Sequence, residues 1–468
     1  MQSLTMTING QMVPGQTTFA VLNPATEQVL ADAPAASLAQ LDSAVEAAER
    51  AFARWRIDAH ARRRALRDCA QALRPHAADL ARLLTTEQGK PLDRARSEID
   101  LSIAWFELTA ELPIPHQVLQ DTERARIELL HHPLGVVGAI TPWNYPIILA
   151  ICKVAPALLA GNTVVLKPSP FTPLTTLRIG ELLRNTLPPG VFNVVSGSDE
   201  LGAALSRHSG VRKISFTGSV ETGKKVAAAA AADLKRLTLE LGGNDPAVVL
   251  ADVAVDRVAE PLFWAALENN GQFCSAIKRV YVHTSLHRPL VDALCEIARS
   301  ARVGNGLDPQ TQLGPLNNRM QYERVCRLVE QARAAGATVL TGGAPLPGPG
   351  YFYPPTLLTD TDDTLPVVIE EQFGPVLPIL VYDDIEELVE RVNRTHYGLG
   401  ASVWSSNIAA AAELAVRIEA GTTWINQHGA LSNDAPFGGA KWSGVGVEYG
   451  VWGLLEFTQA QVINISKT

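Results

Sequence analysis

From about Val136 to Leu250, short β-branched runs alternate with helical runs, and this alternation constrains the fold more than any other feature of the chain. Val136-Val137-Gly138-Ala139-Ile140 precedes an apolar helical run over 147–159, and Thr163-Val164-Val165-Leu166-Lys167 precedes another over 173–185. The run 191–195, a helix near Leu201, the run 213–216 and an Ala-rich helix over 224–234 continue the series. Strands separated by helices form a mostly parallel sheet covered on both faces, because each parallel connection must cross over the sheet. A second series begins near 246–250 and continues through 279–282, so two α/β domains are expected. With 468 residues, 47% of them hydrophobic, the chain is long enough for two or three domains with their own cores.

The first 110 residues read differently, with Ala, Arg and Glu at helical periodicity over 41–55 and 61–86. They are expected to form helices packed on the first sheet. Residues 122–132 and 457–466 alternate as isolated strands far apart in sequence, and 342–350 is a Gly/Pro loop. An exposed strand edge invites pairing with another strand.

Charge and cysteine usage remove several classes of function. The formal charge of −8, with Lys and Arg dispersed along the chain, provides no basic footprint for nucleic acid. Met1-Gln2-Ser3-Leu4-Thr5 does not open a basic-then-apolar export signal, and no run of 18 apolar residues occurs, so neither export nor a membrane span is expected. Five widely spaced cysteines without a C-x-x-C pair predict neither a disulfide framework nor a zinc site, and a reducing cytoplasm fits them best. No metal is expected.

Cys69, Cys152, Cys295 and Cys326 lie at apolar positions of helical runs, as small buried hydrophobes do. Cys274 lies instead in a loop after the helical run 255–267, between Gly271 and Ser275, where a thiol can be reactive. Because an unperturbed thiol is only a few per cent ionised at neutral pH, it needs a base or a positive field. Glu240 ends an alternating strand, Thr238-Leu239-Glu240-Leu241, so it reads as either a solvent-facing glutamate or a base. The following Gly242-Gly243 permits close approach of backbone and ligand. Asn144, between Pro142 and Pro146, is either a turn residue or an amide donor.

These segments, with Phe216-Thr217-Gly218-Ser219 and Glu371-Gln372-Phe373-Gly374-Pro375, resemble the aldehyde dehydrogenase superfamily from Ile8-Asn9-Gly10 to Pro436-Phe437-Gly438-Gly439. The resemblance implies a Rossmann-like cofactor-binding domain (1–112 and 134–242), a second α/β catalytic domain (243–443) and a small β extension (113–133 and 444–468). It further implies that the extension joins subunits into a homodimer or homotetramer. The implied activity is oxidation of a small-molecule aldehyde to the acid with NAD(P)+ through a thiohemiacetal and a thioester. Cys274 would attack, Asn144 would hold the oxyanion, and Glu240 would activate water against the thioester. Relatives that lack this glutamate pass the acyl group to coenzyme A.

The resemblance places Gly218 and Ser219 at the cofactor pyrophosphate, Trp143 and Lys167 at the adenosine half, and Glu371 and Phe373 at the nicotinamide ribose and ring. Ile140, Thr141, Pro142, Ser169, Pro170, Thr222, Leu241 and Gly242 complete the implied set. The segment from Gly218 to Lys225 reads G-x-x-x-x-G-K-K, short of a nucleotide-triphosphatase loop because Lys225 stands where Ser or Thr would ligate Mg²⁺. A phosphoryl-transfer enzyme is therefore the remote alternative, and a cofactor-free esterase or a non-catalytic protein on the same fold are others. Pro170 stands where the family commonly has a glutamate for the adenosine ribose, which leaves NAD against NADP open, with NAD favoured.

Trp143, Tyr145, Leu149, Trp264, Leu431 and Phe437 are candidates for an apolar tunnel. The loop 427–434 contains no Arg or Lys, which argues against an acid semialdehyde. Glu268 replaces a frequent aromatic tunnel residue, so it either favours a cationic or hydroxylated aldehyde or faces solvent.

Overall fold

The computed structural model describes residues 4–467. An eight-stranded sheet carries at its centre the parallel strands Arg236–Glu240, Val211–Thr217, Val136–Ile140, Thr163–Lys167 and Phe192–Val194, in that spatial order. Gly444–Val445 closes one edge antiparallel, and Met6–Ile8 with Gln11–Val13 closes the other. The chain runs outward from Val136–Ile140 to Phe192–Val194, then returns to the other side of Val136–Ile140. Strand order thus reverses between Val136–Ile140 and Val211–Thr217, and in open α/β sheets the crevice at the carboxyl ends of such strands is where ligands bind.

A seven-stranded sheet follows, in the order Thr338–Thr341, Thr356–Thr359, Val376–Tyr382, Ile277–His283, Asp245–Val249, Gly400–Trp404 and Thr422–Ile425. Only its first pair is antiparallel. Central strands of both sheets, such as Val136–Ile140 and Asp245–Val249, are buried along their whole length, as parallel strands covered by helices must be. Residues 241–244 link the sheets, so the carboxyl end of one meets the amino end of the other.

Three expectations need correction. Before Leu38 the chain forms strands rather than helices, including the hairpin of Thr17–Leu22 with Val29–Ala35. Thr7 pairs with Val194, a partner that local periodicity cannot reveal. The run 61–86 is two helices, Ala59–Leu73 and Ala77–Gln88, because Pro75 lacks the N–H that a continuous helix needs. The Ala-rich helix is Val220–Ala231, beginning four residues early, since the Ser219 hydroxyl accepts the Thr222 N–H at 3.2 Å and caps it.

The two isolated strands pair with each other. Thr458–Ser466 lies antiparallel to Ala125–Pro133, which also pairs with Gln117–Asp121. Among the described residues no helix is long and apolar enough to cross a membrane.

Candidate active site

Helix Val255–Leu267 ends in a strained turn. Asn269 (φ 50°), Asn270 (φ 56°) and Gly271 (φ 74°) are successive left-handed residues. Each non-glycine residue of this kind costs on the order of 1–3 kcal/mol and persists only where its surroundings over-determine it. Here they do. The Asn269 amide donates to the Asn144 carbonyl (3.1 Å), and the Asn270 amide donates to the Gly314 carbonyl (2.9 Å). The Gln272 side chain donates to the Asn269 carbonyl (2.8 Å) and accepts the Asn317 N–H (2.8 Å). A Cβ on Gly271 would sit 2.1 Å from the Gly374 oxygen, so the packing requires glycine. The turn presents Cys274 half-buried, while Cys69, Cys152 and Cys295 are buried within helices; Cys326, expected buried, is half-buried on helix Arg319–Ala334.

The Asn144 side chain is buried and donates to the Gln272 carbonyl at 3.1 Å, so its amide lies against the loop of Cys274. Glu240 ends its strand at 4% exposure, with Oε1 lacking a hydrogen-bond partner among the described residues. Burial, reinforced by the nearby Glu448 and opposed by Lys153, holds its carboxyl well above the usual range. Lys153 and Glu448 are themselves a buried ion pair at 2.5 Å. Burial also pushes the Cys274 thiol up to about 12, with Lys278 pulling it down and Glu240, Glu371 and Asp245 adding to the rise. The resting thiol is therefore protonated.

At the crevice of the first sheet, the side-chain hydroxyls of Thr141 and Thr217 are buried without partners among the described residues. Ile140 ends its strand beside Lys167, Thr141 and Pro142 continue from it, and the Thr141 N–H reaches the Lys167 carbonyl at 3.2 Å. The Lys167 ammonium is buried, donates to the Pro168 carbonyl (3.2 Å), and is pushed down to about 8 by burial, with Asp199 opposing. Ser169 is buried and Pro170 half-buried beside it.

Gly218 opens the turn to helix Val220–Ala231, where a Cβ would lie 2.5 Å from the Phe216 ring. Ser219 and Thr222 pair their hydroxyls at 3.0 Å on that helix end. Leu241 packs against Gly223, a Cβ on Gly242 would lie 2.2 Å from a Glu371 oxygen, and Glu371 accepts the Gly243 N–H at 3.1 Å. Phe373 (φ 51°) meets Trp143 edge-on at 5.3 Å. A capped helix start, close-approach glycines, buried hydroxyls without partners among the described residues and a buried lysine fit a dinucleotide.

Lys225 pairs with Glu221 at 2.6 Å and the Lys224 ammonium sits 3.3 Å from the Trp442 ring centroid, so neither cradles a phosphate. Both lie inside the helix rather than in a loop.

The tunnel candidates separate. Phe437 packs beside Cys274 together with Trp424 and Tyr449, whereas Leu431 is 40% exposed. Trp105 and Tyr449, in ring contact at 4.8 Å, line a small crevice with Leu108, Thr109 and Asn433. Trp264 lines a different cavity of about 210 Å³ with Arg94, Glu268 and His428. Glu268 is half-buried and accepts the Tyr145 hydroxyl at 3.0 Å, so it does not simply face solvent. Sequence reasoning passed over Tyr449 and Lys278. The signal for Lys278 was a lysine interrupting the apolar start of a central strand, at Ile277-Lys278-Arg279-Val280.

Residues 12–463 match the model of the aldehyde dehydrogenase family. A probable aldehyde dehydrogenase from a Pseudomonas species is 41% identical over 99% of this chain and 95% of its own length. Human retinaldehyde dehydrogenase 3 is 40% identical over 96% of this chain and 89% of its own. The NAD+ complex of an aldehyde dehydrogenase from Bacillus cereus superposes with a TM-score of 0.97 at 37% identity, covering 99% of this chain and 97% of that one. Betaine aldehyde dehydrogenase from Staphylococcus aureus, also solved with NAD+, gives a TM-score of 0.96 at 32% identity over 99% and 95%. A likeness that runs through both sheets and across the loop between them leaves one conclusion: the chain belongs to the aldehyde dehydrogenase family and oxidises an aldehyde to the carboxylic acid with NAD(P)+.

Proposed function

We propose that Cys274 is the nucleophile, Asn144 the oxyanion donor and Glu240 the base for the deacylating water. The observation that carries this reading is the double clasp between two segments 128 residues apart: Asn144 Nδ2 to the Gln272 carbonyl, and Asn269 Nδ2 to the Asn144 carbonyl, both 3.1 Å. It fixes an amide donor against the thiol-bearing loop before substrate arrives. Thiolate attack on the aldehyde carbon puts negative charge on oxygen, where one such preorganised donor is worth about 2.7–4 kcal/mol. A buried Glu240 with a free oxygen can take a proton from water attacking the thioester. Its presence supports hydrolysis over transfer to coenzyme A.

The crevice residues Ile140, Thr141, Pro142, Trp143, Lys167, Ser169, Pro170, Gly218, Ser219, Thr222, Leu241, Gly242, Glu371 and Phe373 would hold NAD(P)+. Bound there, the dinucleotide supplies the hydride acceptor. Without a carboxylate at 170, the kcat/KM ratio for NAD over NADP is expected within about two decades, the worth of one charged hydrogen bond. Pro170→Glu should move it further toward NAD. A wild-type ratio above about 10⁴, or no shift in the variant, would place cofactor choice elsewhere.

Glu371 is pushed up to about 7 by burial, with Lys278 and the Gly243 N–H opposing. Its carboxyl is therefore protonated below that pH and ionised above it, and the ionised form is the stronger acceptor for a ribose hydroxyl. The KM for NAD should rise as pH falls through about 7, and Glu371→Gln should flatten that dependence. A wild-type KM flat from pH 6 to 8 would remove Glu371 from ribose binding.

The preferred substrate is a hydroxylated or cationic aldehyde rather than an acid semialdehyde. Supporting this, the half-buried Glu268 lines a cavity with Arg94, Asn269 and His428, His428 meets the Ser275 carbonyl at 2.8 Å beside Cys274, and the loop 427–434 carries no Lys or Arg. An aldehyde panel read by NADH absorbance tests it: hydroxy- and amino-aldehydes should lead, and a lead by acid semialdehydes or by plain alkyl aldehydes would overturn it. Absence of turnover without NAD(P)+ separates this activity from an esterase. We assign 1–112 and 134–242 to cofactor binding, 243–443 to catalysis, and 113–133 with 444–468 to subunit contacts in a homodimer or homotetramer. The exposed Val118 and Leu119 on the edge strand Gln117–Asp121 support such contacts. Five unpaired thiols support a cytoplasmic location.

A further inference from the structure

Lys278 is the first charged residue after Cys274, and its ammonium is almost completely enclosed at 1% exposure. It forms no ion pair among the described residues. Instead it donates to three carbonyls of the nucleophile's own loop: Phe273 (2.6 Å), Cys274 (3.3 Å) and Ala276 (3.4 Å). It also lies 5.7 Å from the Phe373 ring centroid, toward the crevice. Burying a cation without a carboxylate is costly, and three carbonyl dipoles offset only part of that cost. Such a charge is left free to act on its surroundings.

The other titratable groups acting on the thiol are carboxyls. Glu240 faces Cys274 from the first sheet, Asp245 from the start of the second, and Glu371 from the loop before Val376–Tyr382. Both Asp245 oxygens are buried without hydrogen bonds among the described residues, and the nearest cation-capable group to them is His428, at 3.6 Å. Lys278 is the one cation acting on the thiol against three carboxyls.

We propose that Lys278 is a positioning residue whose enclosed positive charge makes Cys274 easier to ionise than its burial among carboxyls would otherwise allow, while its bonds to the Phe273 and Cys274 carbonyls hold the loop. This deepens the reading of Cys274 as nucleophile and rests on it. On ionisation the Sγ–H bond breaks, its proton goes to solvent, and the electron pair stays on sulfur, in the loop whose carbonyls the ammonium binds.

The test is the pH dependence of Cys274 alkylation by iodoacetamide in the full-length enzyme without cofactor. The modified peptide is followed by mass spectrometry, so that the other four thiols do not contribute. Lys278→Met removes both charge and donor, Lys278→Gln keeps a donor without charge, and Lys278→Arg keeps the charge. The midpoint should rise by about one pH unit in the Met and Gln variants, lowering the rate at pH 7.5 about tenfold, and should stay near wild type in the Arg variant even where kcat falls. If Lys278→Met does not give a cooperative melting transition, Lys278→Gln carries the comparison. A Gln midpoint within about 0.3 unit of wild type would overturn the proposal, because a loop-holding role alone changes kcat at every pH without moving the thiol. The reading of Cys274 fails separately: it is lost if fully alkylated enzyme retains aldehyde oxidation, whatever the variants show.

Discussion

Cys274→Ala is expected to lower kcat for aldehyde oxidation to below about 1% of wild type while leaving cofactor binding unchanged, since no covalent route remains once the nucleophile is gone. Cys326 is half-buried on helix Arg319–Ala334, packed against the core of the second sheet. Cys69, Cys152 and Cys295 are buried in helices, and desolvation raises the thiols of Cys69 and Cys152 even further from ionisation. The substitution removes one half-buried sulfur from a turn held by Asn269, Asn270 and Gln272 side chains, so stability should change by no more than about 1 kcal/mol. Steady-state kinetics with a cofactor-binding titration decides the matter. Residual activity above a few per cent, in protein that still binds NAD+, would require another nucleophile.

Glu240→Gln should separate the two halves of the reaction. Acylation does not need the carboxylate, so a rapid burst of about one NADH per active site should remain, followed by a steady state slowed by about 10²–10⁴-fold. Stopped-flow absorbance resolves the two phases, and mass spectrometry of the stalled enzyme should find the acyl group on Cys274. Burial, with Glu448 adding to it, keeps the Glu240 carboxyl well above its ordinary range. A group raised in this way is protonated at low pH and becomes a base as pH rises. Wild-type deacylation should therefore accelerate with pH, and the variant should lose that dependence. Unchanged steady-state turnover would remove Glu240 from the mechanism. Rescue by coenzyme A in place of water would move the enzyme into the acyl-transferring class.

What was legible in the chain and what was not divides along one physical line. Local pattern determined the parallel α/β architecture, because the periods of strands and helices and the Gly and Pro punctuation act over a few residues. It also set Cys274 apart, since a thiol between Gly271 and Ser275 beyond the end of an amphipathic helix cannot be a core residue of that helix. Elements settled by distant partners were misread. Met6–Ile8 is a strand because Thr7 finds Val194, and helix Val220–Ala231 begins where Ser219 can cap it, which turned an apparent phosphate loop into helix. Only the tertiary structure decided the electrostatics. Nothing local distinguishes Glu240 at the end of its strand from a solvent-facing glutamate, or Lys278 from a surface lysine. Their charges matter because packing removes the water around them, and desolvation depends on every segment that closes over a site rather than on the residues beside it in sequence.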